Sequence, residues 1–356
     1  MKKVLHITPE IGQMSSGGIG TVSTNLYQQK TADDIFLFCT IWYENVPLPE
    51  IKEKIGECVL FCHAKDLSSK IEKINPDVIV FHALFLFRMY FENDMQNAIK
   101  KKIWVVFHNN PIMESGFKAS IPEYSANYEL VFTVHNANSI CVSQYEKDLL
   151  TKMNKNKPTT KSIEVIYNGQ YFSESFDFLE RQECAYGYLG RLEERKGIFQ
   201  LCKNFRQIDR KLLIATKNHT PGLMSMLSMS IDGNPKVIPL GWCVGDRLNS
   251  FYSQISSLIV PSIYEPFGMI FLEAGERMIP IIANKTPSAV EILGEDYPLF
   301  FNIADSSLLN VTDKFERMSY NQKRELAVST KRRMMELFSI EKMAKQYRQL
   351  VDGGVN

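Results

Sequence analysis

The chain has 356 residues, 45% of them hydrophobic, and Lys+Arg 41 against Asp+Glu 40 leave a formal charge of +1. That length exceeds what one hydrophobic core usually serves, so two compact domains are expected, and the balance lacks the basic excess that holds a dedicated nucleic-acid binder on phosphate. Seven scattered cysteines with no CxxC pair give little support to a disulfide framework or a zinc site and suit a reducing cytosol.

The N-terminus, MKKVLHITPE, enters a strand directly, with an apolar stretch too short for a signal-peptide core. No window approaches the ~20 uninterrupted apolar residues that a membrane-spanning helix needs. A cytoplasmic protein is expected, one that at most lies peripherally on the inner face of the cell membrane. The first strand leads into PEIGQMSSGGIGTVSTNLY, where Gly17, Gly18 and Gly20 precede an apolar-patterned helix. Glycines at such a turn let the backbone approach a ligand, with helix amides aimed at phosphate or sugar oxygens; a plain tight turn is the competing reading. The spacing departs from GxGxxG, and no acidic ribose ligand ends a matching second strand, which disfavours a nicotinamide dehydrogenase.

Further strands are expected at DIFLFCT, ECVLFCH, PDVIVFH, KIWVVFH, SICVS and IEVIY, then at CAYGYLG, KLLIAT, KVIPLG, SSLIVP and IPIIAN. Alternating with amphipathic stretches, they predict an α/β fold of parallel sheets covered by helices on both faces. Residues 84–102, LFLFRMYFENDMQNAIKKK, read as a buried helix with a solvated lysine end, the alternative being an interfacial patch for anionic lipid. Asn168-Gly169 gives a turn signal before a stretch without clean period, and the domain junction is placed there. The expected division is 1–169 and 170–338. FSIEKMAKQYRQLVD then closes the chain as a helix capped by Ser339, with Ile340, Met343, Ala344 and Tyr347 on one stripe.

The second half carries the stronger chemical signal. YLGRLEERKG places Arg191 just after a strand and Lys196 five residues later, immediately before Gly197 and a helix. Two cations at the carboxyl end of a strand could neutralise a diphosphate leaving group; the competing reading is a solvated loop pairing with Glu193 and Glu194. SSLIVPSIYEPFGMIFLEAGE then reads as a strand, a short turn and a helix whose start at Gly268, Met269 and Ile270 presents free amides to phosphate. Glu265 precedes that start and Glu273 lies about a turn inside. Glu273 can accept ribose hydroxyls, while Glu265 can reach hydroxyls of a transferred sugar.

This constellation resembles family 4 of the retaining glycosyltransferases, which have the GT-B architecture of two facing Rossmann-like domains, and the resemblance covers nearly the whole chain. The family's Glu-x7-Glu motif matches Glu265 and Glu273, its phosphate-binding pair matches Arg191 and Lys196, and its glycine loop matches Gly17-Gly18-Ile19-Gly20. It implies that the helix over 339–356 packs back onto the N-terminal domain, the acceptor side, and that 170–338 holds a nucleotide-sugar donor, with UDP as the default base. It also implies a site role for His108, which follows KIWVVFH where members carry a histidine near the transferred sugar and β-phosphate, donating a hydrogen bond. Two departures stand out: His108-Asn109 where His-Asp is common, and KTPSAVEIL where glycines usually precede the glutamate matching Glu291.

The resemblance implies retaining transfer without a required metal or cofactor, to a glycan, lipid-linked or protein acceptor in bacterial cell-surface polysaccharide or glycoconjugate synthesis. Domain closure would exclude water from the donor. Acceptor choice is expected to rest on loops around Trp42 to Pro49 and Pro111 to Tyr124. Three other readings share the fold or the ligand: a sugar-nucleotide epimerase, a hydrolase, and a non-catalytic sugar-nucleotide-binding partner subunit. Retention of Glu265, Glu273, Arg191 and Lys196 together argues against the last.

Overall fold

The computed structural model describes residues 2–14, 17–41, 47–56, 58–117, 123–154, 162–179, 185–217 and 221–352. The chain forms two compact units, Met1–Tyr171 with Phe338–Asn356, and Phe172–Leu337. Each is built on its own parallel sheet. In the N-terminal unit the strands are β1 (Val4–Thr8), β2 (Asp34–Thr40), β3 (Leu60–His63), β4 (Val78–Phe81), β5 (Lys102–Phe107), β6 (Asn138–Cys141) and β7 (Ile163–Val165), ordered β3-β2-β1-β4-β5-β6-β7. In the second unit they are β8 (Ala185–Arg191), β9 (Leu212–Lys217), β10 (Val237–Gly241), β11 (Ile255–Val260), β12 (Ile281–Asn284) and β13 (Phe300–Phe301), ordered β10-β9-β8-β11-β12-β13.

Every residue of β1, β4 and β12 is buried, which is why these strands read as continuous apolar runs rather than alternating ones: helices cover both faces. In both sheets the strand order reverses once, between β1 and β4 and between β8 and β11. Such reversals open a crevice at the carboxyl ends of the strands, because the crossover helices leave to opposite faces. The glycine turn follows β1, and His82 and His108 follow β4 and β5. Arg191 ends β8, and Glu265 follows β11. Sequence inspection missed β13, a two-residue edge strand too short to show a period.

Residues 84–102 do not make one helix. Leu84–Asn93 is helical and buries Leu84, Leu86, Phe87, Tyr90 and Phe91; the backbone breaks at Asp94, a short turn of helix spans Met95–Ala98, and β5 begins at Lys102. Phe87 and Phe91 pack on Phe132, and Arg88 pairs with Glu129 at 2.8 Å. Lys101 is turned onto Asn75 and the Pro76 carbonyl. The apolar run therefore fills the core of its own unit. Among the described residues no helix is long and apolar enough to cross a membrane.

The last helix, Ile340–Asp352, belongs to the N-terminal unit and packs on the helix Gly18–Gln28. Ile340, Met343, Ala344, Tyr347 and Leu350 are buried, and the Ser339 hydroxyl accepts from the Lys342 amide at 3.2 Å. Gln170 pairs with the entry to this helix: its amide donates to the Phe338 carbonyl and its carbonyl accepts from Ile340, both at 3.0 Å. Of the loops expected to choose an acceptor, residues 42–46 and 118–122 lie outside the described residues.

Candidate functional site

Two loops meet at the β8/β11 reversal. After β8 the chain makes a single turn of 3-10 helix, Glu194–Lys196, and then passes through Gly197 into the helix Ile198–Asn204. Gly197 has φ +69°, and a Cβ there would sit 2.1 Å from the Pro261 carbonyl oxygen at the end of β11. Only glycine permits both the left-handed backbone and that approach. The contact draws the Lys196 turn onto the Glu265 loop. Alanine at Gly197 is expected to cost about 2 kcal/mol or more in stability and to loosen the Lys196 turn, which a thermal midpoint and hydrogen exchange of residues 194–200 would register.

The side chains brought together there form a buried ionic group. Lys196 Nζ donates to Glu265 Oε1, which also accepts from the Ser262 hydroxyl at 2.9 Å. Arg195 lies 3.5 Å from the other Glu265 oxygen and 2.9 Å from Glu193, and donates to the Tyr264 carbonyl at 3.4 Å. Arg195 and Glu265 are each 4% exposed. Arg191 is more open and pairs with Glu193 at 3.1 Å. Burial alone would raise the Glu265 carboxyl, but the Lys196 and Arg195 charges and the Ser262 hydroxyl together hold it below the ordinary range, so it is ionised. Burial lowers the Lys196 ammonium, and Glu265 opposes that shift. Thus Lys196 pairs with Glu265, across the reversal, rather than with its sequence neighbours.

The loop carrying Glu265 is itself braced. The Asn284 amide donates to the Ser262 carbonyl at 2.9 Å, while its oxygen accepts from the Ile303 amide at 3.0 Å. Beyond the loop, Gly268 takes a left-handed conformation (φ +98°) and starts the helix Met269–Glu276. The first amides of that helix have no intrahelical acceptors. Glu273, a turn later, is half-buried beside Tyr252 and Arg277. Burial raises its carboxyl, with Arg277 and then the Tyr252 hydroxyl pulling the other way. The two glutamates therefore sit in separate surroundings, one locked to cations and one in a less polar wall.

In the N-terminal unit the glycine turn is already partnered. The Gly20 amide donates to Glu10 Oε2 at 3.3 Å, so a carboxylate of the chain itself lies against the start of the helix Gly18–Gln28. His108 stands at the end of β5, with Asn109 donating to Glu114 at 3.0 Å. An aspartate at 109 would set two carboxylates against each other, which accounts physically for asparagine here. Glu291 lies in the helix Pro287–Leu293, capped by Thr286 through the Ala289 amide at 3.3 Å. Sequence inspection named Arg191, Lys196, Glu265 and Glu273 but missed Arg195, Ser262 and Tyr252. Arg195 sits inside the run EERK, where nothing local distinguishes a buried arginine from a solvated one.

Part of the second unit matches a described family. Residues 177–325 match the family described as Glycosyl transferases group 1. An uncharacterized glycosyltransferase of Methanocaldococcus jannaschii is 28% identical over 183 residues, 46% of either chain. A capsular polysaccharide biosynthesis glycosyltransferase of Staphylococcus aureus is 27% identical over 124 residues, 33% of this chain and 32% of that one. The matched region thus spans less than half the length of either relative. Among solved structures, the Anabaena protein HepE in complex with UDP-glucose superposes with a TM-score of 0.77 at 13% identity, covering 99% of this chain and 100% of that one. The fold is of the GT-B type.

Proposed function

We propose that this chain, whose residues 177–325 match the family described as Glycosyl transferases group 1, is a family 4 glycosyltransferase that transfers a sugar with retention from a nucleoside diphosphate sugar, UDP being the expected nucleotide. The acceptor class is a glycan, a lipid-linked sugar or a protein, in cell-surface polysaccharide or glycoconjugate synthesis, as the S. aureus relative's description suggests. The observation that carries the reading is the ionic group at the β8/β11 reversal. Within it Arg191, Arg195 and Lys196 gather around Glu193 and Glu265 on the loops beside a helix start. Cations gathered at a strand-end crevice are suited to an anionic leaving group.

In this reading Lys196, Arg191 and the amides at Gly268, Met269 and Ile270 take the diphosphate. Lys196 exchanges Glu265 for phosphate, and Glu265 is freed to accept hydrogens from the transferred sugar. Glu273 takes the ribose hydroxyls. His108 and the turn at Gly17, Gly18 and Gly20, at the N-terminal sheet's own reversal, are assigned to substrate hydroxyls. The departing diphosphate gathers charge and serves as base for an acceptor attacking from the same face, the cations doing the work of a metal.

Thermal unfolding with UDP, GDP and ADP tests the reading. Ligand at 100 times its Kd adds about 2.7 kcal/mol, or roughly 5–10 °C for a unit of this size. A rise with UDP alone is expected. A rise with GDP or ADP instead would change the donor base, and no rise in a folded sample would favour the non-catalytic partner subunit. Conversion of a UDP-sugar without any acceptor would point to an epimerase or hydrolase.

A further inference from the structure

Three histidines stand in a row across neighbouring strands of the N-terminal sheet. His6 lies on β1, His82 follows β4 and His108 follows β5, and the sheet order β2-β1-β4-β5 sets them side by side. His6 Nδ1 is 3.2 Å from His82 Nε2, and His82 Nδ1 is 3.4 Å from His108 Nε2. Neighbouring rings are nearly coplanar in tilt, 25° and 27° apart, with centroids 5.5 Å and 5.7 Å apart. The row ends on β2, where Asp34 Oδ1 lies 4.0 Å from His6 Nε2. The other Asp34 oxygen is occupied, accepting from the Thr31 amide at 2.7 Å and the Thr31 hydroxyl at 2.9 Å. Phe36 stacks on His6, and Tyr347 packs against His6 and His82.

Burial keeps all three rings neutral. It takes His6 and His108 down to about 4, Asp34 opposing the shift at His6, and it takes His82 well below its ordinary value, with the neighbouring histidines adding to the effect. Each neutral ring carries one N–H, and each of the two gaps needs one hydrogen. Only two arrangements satisfy both gaps. Either every ring carries its hydrogen on Nε2, so that His108 donates to His82, His82 to His6, and His6 points an N–H at Asp34. Or every ring carries it on Nδ1, so that the row runs the other way and His6 turns a bare lone pair toward the Asp34 carboxylate. The carboxylate attracts an N–H and repels a lone pair, which selects the first.

We propose that Asp34, His6 and His82 are positioning residues that fix His108 as the Nε2–H tautomer, leaving its Nδ1 a hydrogen-bond acceptor. Among the described residues Nδ1 of His108 has no protein partner. Resting on the function proposed above, His108 takes a hydrogen from a sugar hydroxyl rather than giving one to a phosphate oxygen. The signal is set about three rings away, because each ring's hydrogen determines its neighbour's. Among the described residues Asp34 is the only carboxylate facing the end of the row at ion-pair distance; Asp33, Lys2 and Arg348 line, with Asp34 and His6, a cavity of about 90 Å³ there.

The test is the nitrogen NMR spectrum of the histidine rings in the full-length protein without ligand, at neutral pH. The expected result is an unprotonated Nδ1 and a protonated Nε2 at His6, His82 and His108. A protonated Nδ1 at His108 overturns the proposal. Asp34→Asn supplies the second measurement: the Thr31 donors hold the asparagine oxygen, its NH₂ faces His6 Nε2, and the row should reverse, moving the hydrogen of His108 to Nδ1. An unchanged His108 tautomer in that variant also overturns it. Should Asp34→Asn fail to fold, His6→Phe keeps the stack on Phe36 and cuts the row; His108 is then expected to lose its single tautomer, and a spectrum like the parent's counts against the relay. These spectra need no nucleotide, so they stand or fall apart from the thermal screen.

Discussion

Lys196→Ala is expected to lower turnover by about 10²–10³-fold, the usual cost of removing one preorganised donor from a developing negative charge. The loss should fall on kcat more than on KM, because charge accumulates on the diphosphate as the glycosidic bond breaks and is smaller in the bound donor. Release of nucleoside diphosphate from the donor selected by the thermal screen measures it. The fold should survive the change: Glu265 keeps Arg195 at 3.5 Å and the Ser262 hydroxyl at 2.9 Å, so its carboxylate is not stranded. Near-parental turnover in a folded variant would remove Lys196 from the catalytic assignment, and with it the proposed exchange of Glu265 for phosphate.

Arg195→Ala should act on stability instead. The guanidinium is 4% exposed and stands between Glu193 and Glu265, so its removal takes the shared cation from two carboxylates in a poorly solvated space and leaves Glu265 to Lys196 and Glu193 to the more open Arg191. Breaking a buried pair from one side costs about 3–5 kcal/mol, which for a unit of this size lowers the unfolding midpoint by roughly 6–20 °C. Adding Glu265→Gln to Arg195→Ala removes one of the stranded charges and is expected to restore part of the midpoint, a coupling that two independent sites would not show. A midpoint for Arg195→Ala within about 2 °C of the parent would mean that water reaches the group and screens it.

These two neighbours show where local pattern stops being informative. Lys196 was legible because it lies at a fixed distance from a strand end and directly before a glycine and a helix, all readable within ten residues. Arg195, one position earlier, was not. Its burial depends on Glu265 and Tyr264, which lie 70 and 69 positions away and arrive with β11. The same holds for the stretch 84–102. Its apolar face was evident, whereas the break at Asp94 and the packing of Phe87 and Phe91 on Phe132 required the helix Glu123–Asn136 to be in place.

The amino-acid sequence by itself determined the strands of both sheets except β13, the Ser339 cap and apolar stripe of the last helix, and the Glu265 and Glu273 spacing around the Gly268 helix start. Each of these is settled by interactions within a few residues: side-chain periodicity, a hydroxyl reaching an amide three positions on, a glycine at a turn. Only the tertiary structure decided that Lys196 pairs with Glu265, that Arg195 is buried beneath both, that Glu10 lies against the glycine turn, and that His6, His82 and His108 form one row ending at Asp34. Strand order makes those neighbours. It is chosen by crossovers and by the burial of whole faces, which join residues far apart along the chain and leave no local trace in the sequence between them.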